Sequence, residues 1–517
     1  MKCTFRYLFL LVILLFSFTS CGILSSEKDQ LKTADTYREQ KQWENAITEY
    51  DKVIKANPRS ALAYNNRGTV YLEKKQYDQA VADFTKAIEL KSDYAEAYAN
   101  RANVYVLTNK SELALPDFNK AIELQPDYAI AYLSRGVYYQ LKNQSELAIA
   151  DFSKAVTIDP KLAPAYNARG DLYMNLNKWN EAIADFTKVI ELTPNSESGY
   201  LRRANAYIRN KQLDSGIADI TKAIEISPNN AQPYFNRGSI YMDIGQWDKA
   251  ITDLDQTIKL APTYSLSYAF RGDAYTQKRQ LDQAIADYSK YIELAPTSAR
   301  AYLSRGKAYL QKGQLELALA DFNKLIELAP DSAEPYVNRG NTYAQMGQAD
   351  KAIADYDKAI QLAPQNYEAY YQRGNLYIKK AQFDLAIADF NKLVELFPNT
   401  AGAYNGRGNA YLQFQKVDLA IADFDKAIEL LPSSAMSFIN RGVAYLQKAQ
   451  FDAALADFNK AIELDPSIPA AYFNRGLIYQ QKKESSQAIA DFKKVIELTK
   501  DPDMIDRAQK NIKELGG

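Results

Sequence analysis

Residues 61–94 read ALAYNNRGTVYLEKKQYDQAVADFTKAIELKSDY, and the same outline returns in each following stretch of 34 residues. An Arg followed by Gly or Ala marks the repeat most clearly. This pair recurs without insertion or deletion at Arg67, Arg101, Arg135, Arg169, Arg203, Arg237, Arg271, Arg305, Arg339, Arg373, Arg407, Arg441 and Arg475. A fixed period of this kind is the signature of a solenoid, because one unit cannot bury its apolar face alone and stacks on its neighbours.

The places within the repeat, numbered from Ala61 as place 1, predict its secondary structure. Place 4 is aromatic and place 11 is Tyr in all 13 repeats from residue 61, while place 8 is mostly Gly, place 20 mostly Ala and place 24 mostly aromatic. Places 4, 8 and 11 have helical i, i+4, i+7 spacing, and so do places 20, 24 and 27. Each repeat is therefore predicted to form two amphipathic helices. Gly or Asn at place 15 suits a left-handed turn between them, and Pro at place 32 ends the second helix.

This pattern resembles the tetratricopeptide repeat, in which Trp, Leu-Gly, Tyr, Ala, Phe and Pro stand at the corresponding spacings. Here Tyr replaces the Trp and Arg replaces the Leu, and the resemblance covers residues 27–502. It implies an all-α fold, a right-handed α-solenoid of about 14 helix-turn-helix units. The first helices of the units would line a concave groove.

Four segments follow from this interpretation. Residues 1–20 are predicted to be a signal peptide, residues 21–28 a lipid-attachment cysteine and short tether, and residues 27–502 fourteen 34-residue units. Residues 503–517 are predicted to form a capping helix, because apolar residues recur there on one helical face. A solenoid needs such a cover at its end.

The first 21 residues combine a positive start, a short apolar core and a final cysteine. Lys2 and Arg6 precede an apolar run from Tyr7 to Phe16, shorter than the about 20 residues that span a bilayer. This order is typical of a secretory signal. Residues 19–22 resemble a bacterial lipobox, which implies a lipidated Cys21 and anchoring on the periplasmic or outer-surface side of a bacterial membrane. An ordinary signal peptide with an incidental cysteine, or a short uncleaved anchor, is the alternative.

The composition removes much of the usual catalytic and metal-binding chemistry. The chain has no His, and its two cysteines, Cys3 and Cys21, both precede residue 22. The 63 basic and 63 acidic residues balance, which argues against general nucleic-acid binding. We therefore expect no enzyme, no cofactor, no metal site and no nucleic-acid partner. The enzymatic alternative, in which carboxylate pairs act on glycans, is disfavoured because helix ends and ion pairs account for the recurring acids.

Arg at place 7 and Asp at place 23 occur together in the same 13 repeats. Both flank the apolar stripes, where an unpaired charge is costly, so we predict a structural ion-pair ladder. It joins Arg67 to Asp83 and Arg305 to Asp321 within one repeat, or Asp83 to Arg101 across a junction. The pattern alone suggests that Asp321→Leu is more damaging than Arg305→Met, since it leaves the arginine unpaired.

Three local features carry predictions of their own. The tyrosines at places 4 and 11 make up 25 of the 38 tyrosines and are expected to fill the core. The acid at place 18 is suitably placed to cap the second helix and to interact with its dipole. Pro116 falls inside a predicted second helix and should kink it.

The resemblance implies that places 2, 5, 6, 9, 12 and 13 face the concave groove. Asn recurs at places 6 and 9, and its amide offers the donor and acceptor that a peptide backbone needs. Aromatic residues on the same face suggest anchor pockets for a partner. The candidate partner-binding residues are Asn66, Asn100, Asn103, Asn205, Phe235, Asn236, Phe270, Asn338, Asn341, Tyr371, Asn375, Asn409, Asn440 and Asn474. Alternatively, these asparagines are polar filler on a solvated helix face.

The sequence thus predicts a non-enzymatic protein–protein interaction scaffold. It would be a membrane-anchored lipoprotein that binds an extended peptide or partner protein in its groove, in the assembly of a cell-envelope complex. The resemblance offers outer-membrane assembly, pilus assembly and polysaccharide export without choosing among them. A carbohydrate- or peptidoglycan-binding module is the alternative.

Overall fold

The computed structural model describes residues 25–517, with side chains from Lys28 onward. In this part of the chain every regular element is an α-helix. The predicted signal peptide and Cys21 lie outside the described residues. The first helix begins at Ser25, so the end of the predicted tether belongs to this helix.

The described helices form two compact halves, which meet in sequence between Pro262 and Thr263. The first half contains α1 Ser25–Glu39, α2 Trp43–Ala56, α3 Ala61–Glu73, α4 Tyr77–Leu90, α5 Ala95–Leu107, α6 Ser111–Leu124, α7 Ala129–Leu141, α8 Ser145–Ile158, α9 Ala163–Asn175, α10 Trp179–Leu192, α11 Glu197–Arg209, α12 Leu213–Ile226, α13 Ala231–Asp243 and α14 Trp247–Leu260. The second half contains α15 Ser265–Gln277, α16 Leu281–Leu294, α17 Ala299–Gln311, α18 Leu315–Leu328, α19 Ala333–Gln345, α20 Ala349–Leu362, α21 Tyr367–Lys379, α22 Phe383–Leu396, α23 Ala401–Gln413, α24 Val417–Leu430, α25 Ala435–Gln447, α26 Phe451–Leu464, α27 Pro469–Gln481, α28 Ser485–Leu498 and α29 Pro502–Glu514.

The helices pack as the repeat predicts. Within each half, the two helices of a repeat pack on each other, and the second helix packs on the first helix of the next repeat. First helices of successive repeats also touch, for example α5 with α7 and α21 with α23, whereas second helices of successive repeats have fewer contacts. The fold is therefore an all-α solenoid of helix pairs, and the first helices lie on its more closely spaced side.

The turn inside each repeat has a left-handed residue at place 15, as predicted. Gly245, Gly313 and Gly347 have φ between 71° and 74°. Side-chain-bearing residues take the same conformation in the other repeats, with φ of 58° at Asn143 and 54° at Ala381. Glycine adopts this region without strain, while most other residues do not. The geometry of the helix pair therefore imposes the turn even where the residue does not favour it.

Proline at place 32 acts as predicted at the end of the second helix. The helix α18 ends at Leu328, and Ala329 before Pro330 lies outside the helical conformation, with φ −142° and ψ 66°. A residue that precedes proline avoids the helical region because it would clash with the proline ring. The turn that follows delivers the chain to the next first helix.

A close contact between the two helices explains the glycine at place 8. A Cβ atom at Gly170 would lie only 2.7 Å from the ring of Phe186 at place 24. The ring is 1% exposed, so it has little room to move. The same contact recurs between Gly306 and Phe322. Glycine at place 8 therefore allows the helices to approach until the aromatic ring covers the backbone.

The acids at place 18 do not cap the second helices through their side chains. In α16 the N-cap is Gln280, without a side-chain cap hydrogen bond, and Asp282 lies in the first turn. There it is placed to interact with the helix dipole, and it accepts a hydrogen bond from Lys312 of the next repeat. The same pairing joins Lys482 to Asp452, 2.6 Å apart. These acids therefore link neighbouring repeats on the surface.

The predicted irregularity at Pro116 lies inside a continuous helix. The helix α6 extends from Ser111 to Leu124 through the proline, whose side chain is exposed. The missing N–H removes one hydrogen bond from the helix without ending it. The adjacent Asp117 still pairs with Arg101, so the ladder is not interrupted there.

The last helix covers the apolar face of the final repeat. Ala508 of α29 is fully buried, and Met504, Ile512 and Leu515 pack around it against the cluster that contains Phe492. Within residues 25–517, no helix combines the length and apolar character that crossing a membrane requires.

Candidate binding surface

Each of the 13 arginines at place 7 forms a bidentate ion pair with the aspartate at place 23 of its own repeat. In Arg67 with Asp83 the Nε–Oδ2 distance is 2.8 Å and the Nη2–Oδ1 distance is 2.7 Å. Over all repeats the two distances are 2.7–2.9 Å and 2.5–2.9 Å. Of the two pairings left open by the sequence, the structure contains the one within the repeat.

The same arginine also reaches back to the preceding repeat. Nη1 of Arg135 donates to Asn119 Oδ1 at 2.7 Å, and Nη1 of Arg305 donates to Ser289 Oγ at 3.1 Å. Both acceptors occupy place 25, where Asp, Asn, Ser or Thr also stands in every repeat that is followed by a place-7 arginine. One guanidinium therefore joins two second helices through a first helix. This third contact was not predicted from the sequence, although the polar residue at place 25 was its visible signal.

The tyrosines at places 4 and 11 lie on either side of this arginine. The guanidinium carbon of Arg67 is 5.5 Å from the ring centroid of Tyr64 and 5.6 Å from that of Tyr71. Both rings are half-buried and pack against core clusters. At place 4, Tyr268, Tyr370 and Tyr472 are buried, so the prediction that these tyrosines fill the core is confirmed in part. The core is filled by the residue at place 24, such as Phe84, which is fully buried. The tyrosines also form cation–π contacts with the arginine of the ion pair.

One of the candidate asparagines at place 9 serves the fold. Asn341 Oδ1 accepts a hydrogen bond of 2.7 Å from the hydroxyl of Tyr356, which is 1% exposed and occupies place 24. The hydroxyl of Tyr288 likewise donates to Asp273 Oδ1 at 2.8 Å. A tyrosine at place 24 thus pairs with an acceptor at place 9. Most repeats have no hydroxyl at place 24, so their place-9 residue is not needed for this purpose.

Two candidate asparagines at place 6 bond to their own helix. Asn338 Nδ2 donates to the carbonyl of Glu334, and Asn474 Nδ2 donates to the carbonyl of Ala470, both at 2.9 Å. Such i to i−4 bonds are local and compete with water. A partner would have to displace them before using the amide N–H.

The candidates Asn66 and Asn100 belong to a buried polar cluster in the first repeats. Asn65 connects them, since its Oδ1 accepts from Asn100 at 3.1 Å and its Nδ2 lies 3.3 Å from Asn66 Oδ1. Asn65 also donates to Glu96 at 3.1 Å, and Asn66 donates to Asp35 at 3.2 Å. Burial raises the pKa of the Glu96 carboxyl, while Asn65 opposes this shift. Sequence reasoning missed Asn65 and both acids in this cluster.

Other candidates remain available to a partner to different degrees. Asn205 is exposed, and Asn375, Asn409 and Asn440 are half-buried. Asn103 is 1% exposed, and both of its amide atoms lack a hydrogen-bond partner among the described residues.

The predicted aromatic anchors are already in contact with neighbours. The ring of Phe270 lies 5.3 Å from the guanidinium carbon of Arg300, and Tyr371 stacks on Tyr367 with centroids 5.7 Å apart. Phe235 borders an open cavity between α11 and α13. Phe235 is therefore the predicted anchor that lies at a recess in the surface.

This cavity has a volume of about 680 Å³ and lies within the first half of the chain. Its lining includes two of the candidate asparagines, Asn205 and Asn236. Asn236 Oδ1 accepts from Gln232 at 2.8 Å. The cavity therefore brings together Asn205, Phe235 and Asn236.

Family models of the tetratricopeptide repeat match much of the chain. Four of them match residues 220–252, 272–313, 306–347, 333–366, 371–435, 444–483 and 469–501. A model described as the ETO1 C-terminal domain matches residues 45–234. No curated protein sequence is similar to the chain at a significant level.

Several solved structures are similar to the chain. Tom70 from yeast is 21% identical, with 88% of this chain and 95% of that chain covered and a TM-score of 0.41. A tetratricopeptide repeat protein from Parabacteroides merdae is 21% identical over 49% of this chain and 99% of that chain, with a TM-score of 0.42. YrrB, described as a TPR protein with an unusual peptide-binding site, is 27% identical over 37% of this chain and 97% of that chain, with a TM-score of 0.29. From the matched family models and its helix pairs, the chain is a solenoid built from tetratricopeptide repeats.

Proposed function

We propose that the chain is a non-enzymatic scaffold that holds an extended segment of a partner protein against its first helices. Tetratricopeptide-repeat proteins typically mediate protein–protein interaction. One observation supports binding at the surface of the first helices: these helices display place-9 amides that the fold does not require. Asn341 bonds a buried hydroxyl, whereas Asn375 and Asn409 stand opposite Phe390 and Phe424, which have none.

These amides suit a peptide backbone. Each offers one acceptor and two donors in a single side chain, which is the complement of a peptide unit. Asn375 and Asn409 are one repeat apart, and Asn205 occupies the same place in the first half. A partner bound in this way would be recognised by its extended backbone first and by particular side chains second.

The proposal also includes a lipid anchor. Cys21 after the apolar run of residues 7–16 is the feature that supports lipidation and placement in the cell envelope. Acylation at Cys21 would hold the first repeats close to a membrane surface, because few residues separate the cysteine from α1. Membrane fractionation tests this directly: the wild-type chain should sediment with membranes, and Cys21→Ser should be released. Sedimentation of Cys21→Ser at the wild-type level would contradict the anchor.

Peptide selection tests the binding function. The full-length chain, kept in detergent, is used to select peptides from a random 12-residue display library, and the affinities of the selected peptides are then measured. Asn375→Ala combined with Asn409→Ala should weaken the peptides that bind in the second half by roughly tenfold, if each lost hydrogen bond contributes about 0.5–1.5 kcal/mol. Asn399→Ala, at an exposed turn, is the matched control. Failure to select any peptide, together with retention on a peptidoglycan column, would favour the carbohydrate-binding alternative.

A further inference from the structure

The open cavity between α11 and α13 is lined in part by core residues of its repeat. Its apolar lining comes from both first helices and from the second helix α12 between them. The apolar side chains concerned are Leu201, Ala204, Ile208, Ile220, Phe235 and Ile240. Ala204, Ile220 and Ile240 are also core residues, 6% exposed or less. The floor of the cavity is therefore part of the packed interior.

The cavity lies where the repeat departs from its own pattern. In the preceding repeat, Gly170 at place 8 packs against the Phe186 ring, and a Cβ there would be 2.7 Å from it. In the repeat that begins at residue 197, these places are Ala204 and Ile220. Isoleucine is smaller than phenylalanine, and Ile220 is one of the residues that line the cavity.

A third departure shapes the same wall. Place 20 is Gly216 here, whereas it is Ala in all the remaining repeats from residue 61. A Cβ at Gly216 would come within 2.9 Å of Ile208 Cγ1. The glycine therefore lets Ile208 of α11 sit against α12, and Ile208 in turn lines the cavity. Three substitutions at core places act together in one repeat.

Of the two charged residues in the cavity lining, one is paired with an opposite charge within the protein. Arg202 forms an ion pair with Asp171, and Glu197 accepts a hydrogen bond from Asn230. The uncharged polar groups of the lining are the amides of Asn205 and Asn236 and the hydroxyls of Ser198 and Ser239. The wall thus offers uncharged hydrogen-bonding groups above an apolar floor. A charged side chain that reached this apolar floor would lose its hydration, and none of the floor residues carries a compensating charge.

We propose that this cavity is a specificity pocket for one large uncharged apolar side chain, Leu, Ile, Met or Phe, of the bound segment. The backbone of that segment would pass Asn205 and Asn236 at the mouth while the side chain enters between Leu201 and Phe235. This inference rests on the proposed function, because the pocket selects within a segment that the first helices hold. Burial of such a side chain corresponds to a roughly 10- to 100-fold change in Kd.

The chain itself supplies the variant that fills the pocket. Ala204→Gly with Ile220→Phe restores the Gly–Phe pair found at Gly170 and Phe186, so the repeat should keep its fold while a ring occupies the recess. Ala102→Gly is the matched control, because it makes the same change at place 8 of another repeat, opposite Phe118. Ser239→Leu, which narrows the cavity from α13, is a second filling variant, and thermal melting verifies that each protein is folded.

The probes are peptides selected by the full-length chain in detergent, each resynthesised with its apolar residues changed to Ala one at a time. With wild-type protein and with Ala102→Gly, one Leu, Ile, Met or Phe to Ala change should weaken binding roughly 10- to 100-fold. With the filled-pocket variants, the same change should have less than a threefold effect. Equal losses in wild type and in the folded filling variants would overturn the pocket while leaving the groove intact. If wild type selects no peptide, the proposed function fails as well.

Discussion

The guanidinium of Arg305 donates two hydrogen bonds to the carboxylate of Asp321, of 2.9 Å from Nε and 2.7 Å from Nη2. The two partners are unequally buried, since the side chain of Asp321 is 5% exposed and that of Arg305 is 21% exposed. Arg305 also keeps a second acceptor, Ser289. Loss of the arginine therefore leaves a buried carboxylate without a partner. Loss of the aspartate leaves an arginine that contacts water and still has Ser289 as a hydrogen-bond acceptor.

This asymmetry reverses the order of damage that the sequence pattern suggests. Arg305→Met should lower local stability by about 2–4 kcal/mol, and Asp321→Leu by about 1–2 kcal/mol, because an orphaned buried charge is the costlier defect. The combined variant should be less damaging than Arg305→Met alone. Hydrogen exchange of α17 and α18 measures each effect locally. A larger loss of protection in Asp321→Leu than in Arg305→Met would contradict the burial argument.

Glycine at place 8 is predicted to be required only where an aromatic ring covers it. Gly170→Ala places a Cβ 2.7 Å from the Phe186 ring and should cost about 1–3 kcal/mol through overpacking. Gly238→Ala is the control, because its Cβ would meet Leu254 at 3.3 Å and should cost less. Adding Phe186→Leu to Gly170→Ala should recover part of the loss in a urea titration. Equal destabilisation by the two single alanines would show that helix propensity or another effect dominates.

The buried hydroxyl of Tyr356 should need Asn341 as its hydrogen-bond acceptor. Asn341→Ala leaves this buried group without its acceptor and should cost about 1–3 kcal/mol. Tyr356→Phe in the same chain removes the orphaned hydroxyl and should restore most of the stability. Asn375→Ala, at the same place but opposite Phe390, should be close to neutral. Wild type, Asn341→Ala, Tyr356→Phe and the combined variant form a thermodynamic cycle. An unchanged cost of Asn341→Ala in the presence of Tyr356→Phe would rule out this coupling.

The left-handed turn at place 15 offers a stabilising change. Ala381 has a φ of 54°, and Ala381→Gly should stabilise the turn by about 0.5–1 kcal/mol because glycine adopts this conformation without strain. The reverse change, Gly347→Ala, should destabilise by a similar amount, since φ there is 73° and no atom lies within 4 Å of the added Cβ. Urea midpoints of the two variants should move in opposite directions. Movement in the same direction would contradict a conformational origin.

Glu96 should make the first repeats sensitive to pH. Burial raises the pKa of its carboxyl above the ordinary 4.5; Asp35 also raises it, while Asn65, Arg38 and Lys91 oppose the shift. A raised folded-state pKa means that its contribution is most favourable below the ordinary value and is lost as pH rises through the raised pKa. Lowering the pH from 7 to 5 should thus increase the protection of α5 relative to Glu96→Gln, after correction for intrinsic exchange rates. An identical pH response in the two proteins would remove Glu96 as the cause.

The period of the sequence was enough to predict the helix pairs, the turn at Asn143 and the helix end before Pro330. These depend on local propensity and on spacing within one repeat. The role of Tyr64 was not predictable in the same way, because a tyrosine at helical spacing fits equally well in a core or beside a cation. The bond from Arg135 to Asn119 crosses between repeats, and only the packing of neighbouring units brings those atoms together.

The sequence was enough to predict which places of the repeat face the groove. It was not enough to predict which of the side chains at those places are free of hydrogen bonds within the protein. Asn341 and Asn375 occupy the same place in consecutive repeats, yet Asn341 is held by the Tyr356 hydroxyl. The cavity beside Phe235 depends on Ile220 and Gly216 in a second helix, which the groove pattern does not include. A site formed by core departures and surface side chains together becomes visible only when the helices are packed.

Site-specific photo-crosslinking tests the central claim most directly. A benzoylphenylalanine at Asn409 on a first helix, or at Leu419 on the exposed face of a second helix, is incorporated into the full-length chain in its native cells and irradiated. We predict that one discrete polypeptide is captured from Asn409, that the same product is absent from Leu419, and that mass spectrometry maps the crosslink to a short contiguous segment of it. Capture of that polypeptide from Leu419 alone would contradict a scaffold that works through its first helices.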